Sequence, residues 1–106
     1  MTDLTVVYYT ANYLSDEKPE FLANTMKHFI RAKGELPVII VSQKKMLIAA
    51  LIGAKNIVVG EIGRSHLNIY RQALIGAKAV KTKYIALCED DVLYHVDHFK
   101  YRPTDG

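Results

Sequence analysis

A second cysteine is missing from this 106-residue chain. With Cys88 alone no internal disulfide can form, and a reducing compartment fits. Cys88 lies within the apolar run Tyr84 to Cys88, where a thiol is expected as a buried packing group rather than a nucleophile. Long apolar runs are missing too. The longest, Met46 to Ile52, falls far short of the roughly 20 residues that cross a bilayer. Met1-Thr2-Asp3 carries no basic lead and the apolar stretch after it is too short for a signal peptide, so a cytoplasmic protein without a membrane span is expected. Basic runs are absent as well: the net charge is +3, and Lys44, Lys45, Lys55, Lys78, Lys81, Lys83 and Arg102 are scattered without interleaved aromatics. That distribution argues against a nucleic-acid partner. No Gly-rich phosphate loop of either standard pattern occurs, and no Ser/His/Asp or Cys/His spacing points to a nucleophilic enzyme.

What the chain does contain is half apolar and a quarter charged, which fits one soluble domain over residues 1–106. A chain of this length buries about two-thirds of its unfolded surface, enough for one core. Thr5-Val6-Val7-Tyr8-Tyr9 is β-branched and aromatic throughout, as expected of a strand buried on both faces. Pro19 suits a first helical turn, Leu22, Met26, Phe29 and Ile30 share one helical face, and Gly34 suits a stop. Val38 to Val41 predicts a second strand and Ile57 to Val59 a third. Ser65 can cap a second helix whose apolar stripe is read as Leu67, Tyr70, Leu74 and Ala77. Lys83 opens a fourth strand, and His95 to Phe99 allows one more helical turn.

Short apolar strands alternating with helices predict an α/β fold: three layers around a mainly parallel four-stranded sheet in the order 3-2-1-4. In that order the topology reverses between strands 1 and 4, and ligands bind at the carboxyl ends beside such a switch point. Tyr9, Thr10 and Asn12 would there meet Glu89, Asp90 and Asp91. Met46 to Ile52 has no polar face. It is either a buried connector or an exposed patch, and an exposed patch of this kind would make the chain a homo-oligomer, natural or engineered, whose chemistry is vestigial or lost. Ala50 to Lys55 recurs residue for residue as Ala73 to Lys78, but the flanking sequences differ and no structural repeat is inferred.

The chemistry concentrates in Glu89-Asp90-Asp91, at the end of the last strand. Three adjacent carboxylates repel one another unless a cation or several donors offset the charge. In an extended chain Glu89 and Asp91 would share one side and Asp90 the other. Two carboxylates on one side can hold Mn²⁺ or Mg²⁺, whose remaining ligands are water and phosphate oxygens. His95 and His98, at i and i+3, could assist a metal, but exposed polar residues are the simpler expectation; His28 and His66 are read as surface residues.

Ile85 to Val92 resembles the strand and acidic D-x-D-type motif of glycosyltransferases with the GT-A fold, the inverting family 2-like enzymes in particular. Val6 to Asn12 is similar to their first strand and its nucleotide-contacting exit. Gly63-Arg64-Ser65 and the helix containing Asn68 resemble the stretch before their acidic motif. The resemblance covers the Rossmann-like, nucleotide-binding half of such a domain, without the acceptor half where these enzymes hold their catalytic base. It implies a nucleotide-sugar ligand (UDP- or another NDP-sugar), Asp91 as main metal ligand, and Glu89 or Asp90 facing the ribose or a metal-bound water. It also implies Tyr9, Thr10 and Asn12 around base and ribose, and Arg64 near base or diphosphate. Glu89 departs from the usual first aspartate, and Ser42-Gln43 stands where an acidic base-binding residue is common. No catalytic residue is assigned.

Overall fold

The computed structural model describes residues 3–13, 17–63 and 65–102, leaving the side chain of His66 aside. In chain order they form β1 (Leu4–Thr10), α1 (Pro19–Lys33), β2 (Val38–Ser42), the one-turn helix α2 (Ile48–Leu51), β3 (Lys55–Val58), α3 (His66–Ala79), β4 (Tyr84–Glu89) and a 3-10 turn (Val96–Phe99). All four strands run parallel in one sheet, ordered β3-β2-β1-β4. This is the α/β fold and strand order expected from the sequence. None of the helices among the described residues is long and apolar enough to cross a membrane.

β1 is central, and its alternation splits the interior into two cores. Leu4, Val6 and Tyr8 face α1, where they join Met26, Phe29 and Ala32 together with Ile40, Ala86 and Cys88 from the neighbouring strands. Phe29 anchors that side: its ring lies 4.9 Å from Tyr8 and 6.2 Å from each of Tyr94 and Phe99. Val7, Ile39 and Val41 form the smaller core on the opposite face, beneath α3. Cys88 is wholly buried in the larger core, and this burial pushes its thiol up to about 12, the inert state expected of it. Pro19 opens α1, and Gly34 closes it with a φ of 57°, a conformation that side chains with a Cβ rarely adopt. Arg102 closes the domain by gripping both carboxylate oxygens of Asp3, each at 3.0 Å.

Three sequence expectations change. The first is the face of α3: Leu67, Tyr70 and Leu74 are exposed, and the helix docks instead through Gln72 and Gly76, both buried. Hydrophobic periodicity misleads here because the contact is set by how closely the backbone approaches the sheet. A Cβ built on Gly76 would stand 2.4 Å from a Val7 methyl and 3.0 Å from one of Val41, so only glycine fits.

Met46–Ile52, read as apolar all round, divides: Met46 and Ala49 turn into the core while Leu47 and Leu51 stay 76% and 81% exposed. One helical turn has two sides, and the larger core reaches only one of them. Finally, β3 begins at Lys55 and includes Asn56. The Asn56 carboxamide donates to the Ile40 carbonyl and Ser42 Oγ and accepts from the Met46 amide, which draws that residue into the sheet.

Gly76→Ala is expected to lower stability by about 1–3 kcal/mol, the usual cost of overpacking, measured as a fall in urea midpoint at unchanged m-value.

Candidate functional site

The carboxyl ends of β1 and β4 lie side by side, with Tyr9 paired to Glu89 in the parallel ladder. Between them opens a cleft of about 280 Å³ lined by Tyr9, Thr10, Ala11 and Tyr13, by Ile69 and Gln72 of α3, and by Glu89, Asp90 and Asp91. The switch point expected from strand order is therefore a real depression.

Thr10 organises its floor. The Thr10 hydroxyl donates to Asp90 Oδ2 at 2.5 Å and accepts the Asn12 amide at 2.9 Å. One strand position earlier, the Tyr9 hydroxyl donates to Glu89 Oε1 at 2.9 Å. Thr25 of α1 reaches over from the other face, and its hydroxyl donates to the Asp90 carbonyl at 2.8 Å. These bonds correct the expected side-to-side alternation. β4 ends at Glu89, and Asp90-Asp91 forms a turn, held by Thr10 at the side chain and Thr25 at the carbonyl. All three carboxylates then line one cleft rather than dividing between the two sides.

Burial is the main electrostatic cost. It holds the Asp90 carboxyl above the ordinary carboxylate range, with the neighbouring Asp91 and Glu89 charges adding to the rise and the Thr10 hydrogen bond opposing it. Burial likewise raises the Tyr9 phenol, and the hydrogen bond to Glu89 adds to that, so the hydroxyl stays a donor. The Tyr94 hydroxyl accepts the Glu89 amide at 2.7 Å and closes the outer side of the strand end.

Asn12 ties two strand ends together. It is buried in a left-handed conformation, φ 65°, which asparagine tolerates better than most residues. Its Oδ1 accepts the amides of Gln43 (2.8 Å) and Lys44 (2.9 Å), tying the exit of β1 to the exit of β2. Arg64 lies outside the described residues. His95 and His98 are exposed, as expected, and His98 rests against the Tyr94 and Phe99 rings. His28 is exposed as well. Among the described residues no group of three or more histidine, cysteine, aspartate or glutamate side chains could hold a metal ion.

The residue that sequence reasoning missed is Gln72. Its Nε2 donates to the carbonyls of Thr10 (2.8 Å) and Val41 (3.1 Å), while its Oε1 accepts from Gln43 Nε2 at 3.1 Å. Gln43 in turn donates to the Gly63 carbonyl at 2.5 Å and accepts the Gly63 amide at 3.1 Å. Two buried glutamines thus bind the ends of β1 and β2 to α3 and to the loop before it. Gln72 falls on the helical face shared by Ile69 and Gly76, which was the available signal; it was masked by the stripe on the other side of the helix.

No family model matches the chain, and neither a curated protein nor a solved structure matches it.

Gln72→Met keeps the shape and removes the amide, leaving the Thr10 and Val41 carbonyls without this donor. It is expected to cost about 1–3 kcal/mol in urea unfolding.

Proposed function

We propose that this chain binds a nucleoside diphosphate sugar, with Mn²⁺ or Mg²⁺, in the cleft between β1 and β4, as the nucleotide-binding half of a glycosyltransferase-like domain. The observation that carries the reading is the convergence of Tyr9 and Thr10 with Glu89, Asp90 and Asp91 around one cleft at the topological switch point. Its volume of about 280 Å³ falls just below the roughly 300 Å³ at which ligand pockets begin. Tyr9 and Tyr13 both line its wall.

The three carboxylates differ in what they can offer a cation. Asp90 is committed to Thr10 and Tyr9 occupies one oxygen of Glu89, whereas Asp91 is exposed. Asp91 would be the main ligand and Glu89 the second, an oxygen-only set that suits a hard cation retaining water. Such a cation would neutralise a diphosphate. Asn12 supports the pocket from behind through Gln43 and Lys44. Ser42 and Gln43 are both buried and hydrogen-bonded, and neither supplies a carboxylate for the base. By resemblance alone, Arg64 is assigned to the base or diphosphate. No residue is assigned as catalytic base, so binding rather than transfer is the activity proposed.

Calorimetric titration with UDP and other nucleoside diphosphates, with and without Mn²⁺, tests this. Metal-dependent binding is expected, weakened at least about tenfold in Asp91→Ala, since even residues supporting a metal ligand are worth about 10- to 100-fold. Binding indifferent to metal or to Asp91→Ala would overturn the assignment.

The exposure of Leu47 and Leu51 favours a second reading, self-association through residues 46–52. On that reading Leu51→Glu converts an oligomer to a monomer in light scattering.

A further inference from the structure

β4 is an edge strand with an apolar side that the described residues cover only in part. Tyr84 donates its amide to Asp3 in the ladder with β1. Backbone groups alternate along a strand, so the amides and carbonyls of Ile85 and Leu87 point outward, away from β1. No backbone hydrogen bond from a loop or turn among the described residues reaches them. On the α3 side of the sheet the Ile85 and Leu87 side chains remain 40% and 47% exposed, because α3 sits over β1 and β2. Tyr70 and Leu74 of α3 are exposed too. The opposite edge, β3, is only four residues long, a common way of blunting an edge. β4 is not blunted in this way.

The charges along this edge are self-complementary. Lys81 and Lys83 stand at the start of β4, and Glu89, Asp90 and Asp91 at its end. An antiparallel copy centred on Ala86 places Ile85 opposite Leu87 and Lys83 opposite Glu89, and the two-fold axis repeats each pair. Directly opposed residues share a face, so four apolar side chains meet on the open side, flanked by two pairs of opposite charge. In the same register the outward groups of Ile85 and Leu87 satisfy those of the second copy. Tyr94 already occupies the outward amide of Glu89, which confines the backbone pairing to residues 85 and 87.

We propose that β4 is the docking edge for a second copy of this chain, joined antiparallel about Ala86 into a continuous eight-stranded sheet. The interface is isologous, as two-fold dimers require. It sets Lys83 of the second copy beside Glu89, so a basic group is brought to the acidic strand end.

Sedimentation velocity over a concentration series of the 106-residue chain, combined with amide hydrogen exchange, tests this. A concentration-dependent dimer is expected, in which the Ile85 and Leu87 amides are protected and lose protection on dilution to monomer. Leu87→Lys should be monomeric with unchanged circular dichroism. Lys83→Glu should weaken the dimer at least tenfold, and Lys83→Glu combined with Glu89→Lys should restore it. The proposal is overturned by a monomer at every concentration or by a dimer indifferent to Lys83→Glu. A dimer lost only in Leu51→Glu would overturn it as well, and so would protection of both amides in the monomer, which would mean that the chain covers its own edge.

Discussion

Thr10 is where a strand buried on both faces has to stop, and each polar group at that point needs a partner. The Thr10 carbonyl takes the Gln72 amide, its hydroxyl accepts from Asn12, and the same hydroxyl donates to Asp90. Those three bonds reach α3, the loop after β1 and the end of β4. A backbone group left unpaired there would cost about 1–3 kcal/mol, comparable with a sizeable part of a small domain's net stability. The requirement to satisfy one strand end therefore aligns the elements around the cleft.

The same constraint explains how the chain tolerates three adjacent carboxylates. Glu89 accepts from Tyr9, Asp90 accepts from Thr10, and Thr25 fixes the turn from behind. Two of the three are provided with donors from within the fold. Asp91 alone of the three is exposed to solvent. The inner members of the cluster hold the strand ends of β1 and β4 together.

Coverage of the sheet is uneven for a reason of length. Among the described residues, α1, the single-turn α2 and α3 do not cover both faces of all four strands. α1 and the aromatic cluster around Phe29 cover one face across β1, β2 and β4, while α3 is pulled close over β1 and β2 by Gly76 and Gln72. The remainder is the open side of β4. Close approach at one place leaves apolar side chains exposed at another, and the exposed residues of α3 follow from the same choice.

The strands, the start and stop of α1, the order 3-2-1-4 and the meeting of Tyr9 and Thr10 with the acidic cluster were all legible in the sequence. Each follows from local pattern: β-branched runs, Pro19 and Gly34 at helix ends, and right-handed connection of parallel strands. The face of α3, the work of Asn12 and Gln72 and the turn at Asp90 were not legible, because each depends on which distant polar group needed a partner. The repeated hexapeptide makes the division plain. Ala50 to Lys55 ends a helical turn at Gly53, in a left-handed conformation, and enters β3. Ala73 to Lys78, with the same six residues, lies wholly within α3 with Gly76 against Val7 and Val41. The first copy is drawn into the sheet beside Asn56, whose carboxamide bonds to β2; the second is carried on by a helix that Ser65 caps and Gln72 pins to the sheet. Sequence alone determined that both segments would be largely apolar. Only the tertiary structure decided that one would end a helix and the other continue it, because the partners that settle the matter lie outside the six residues.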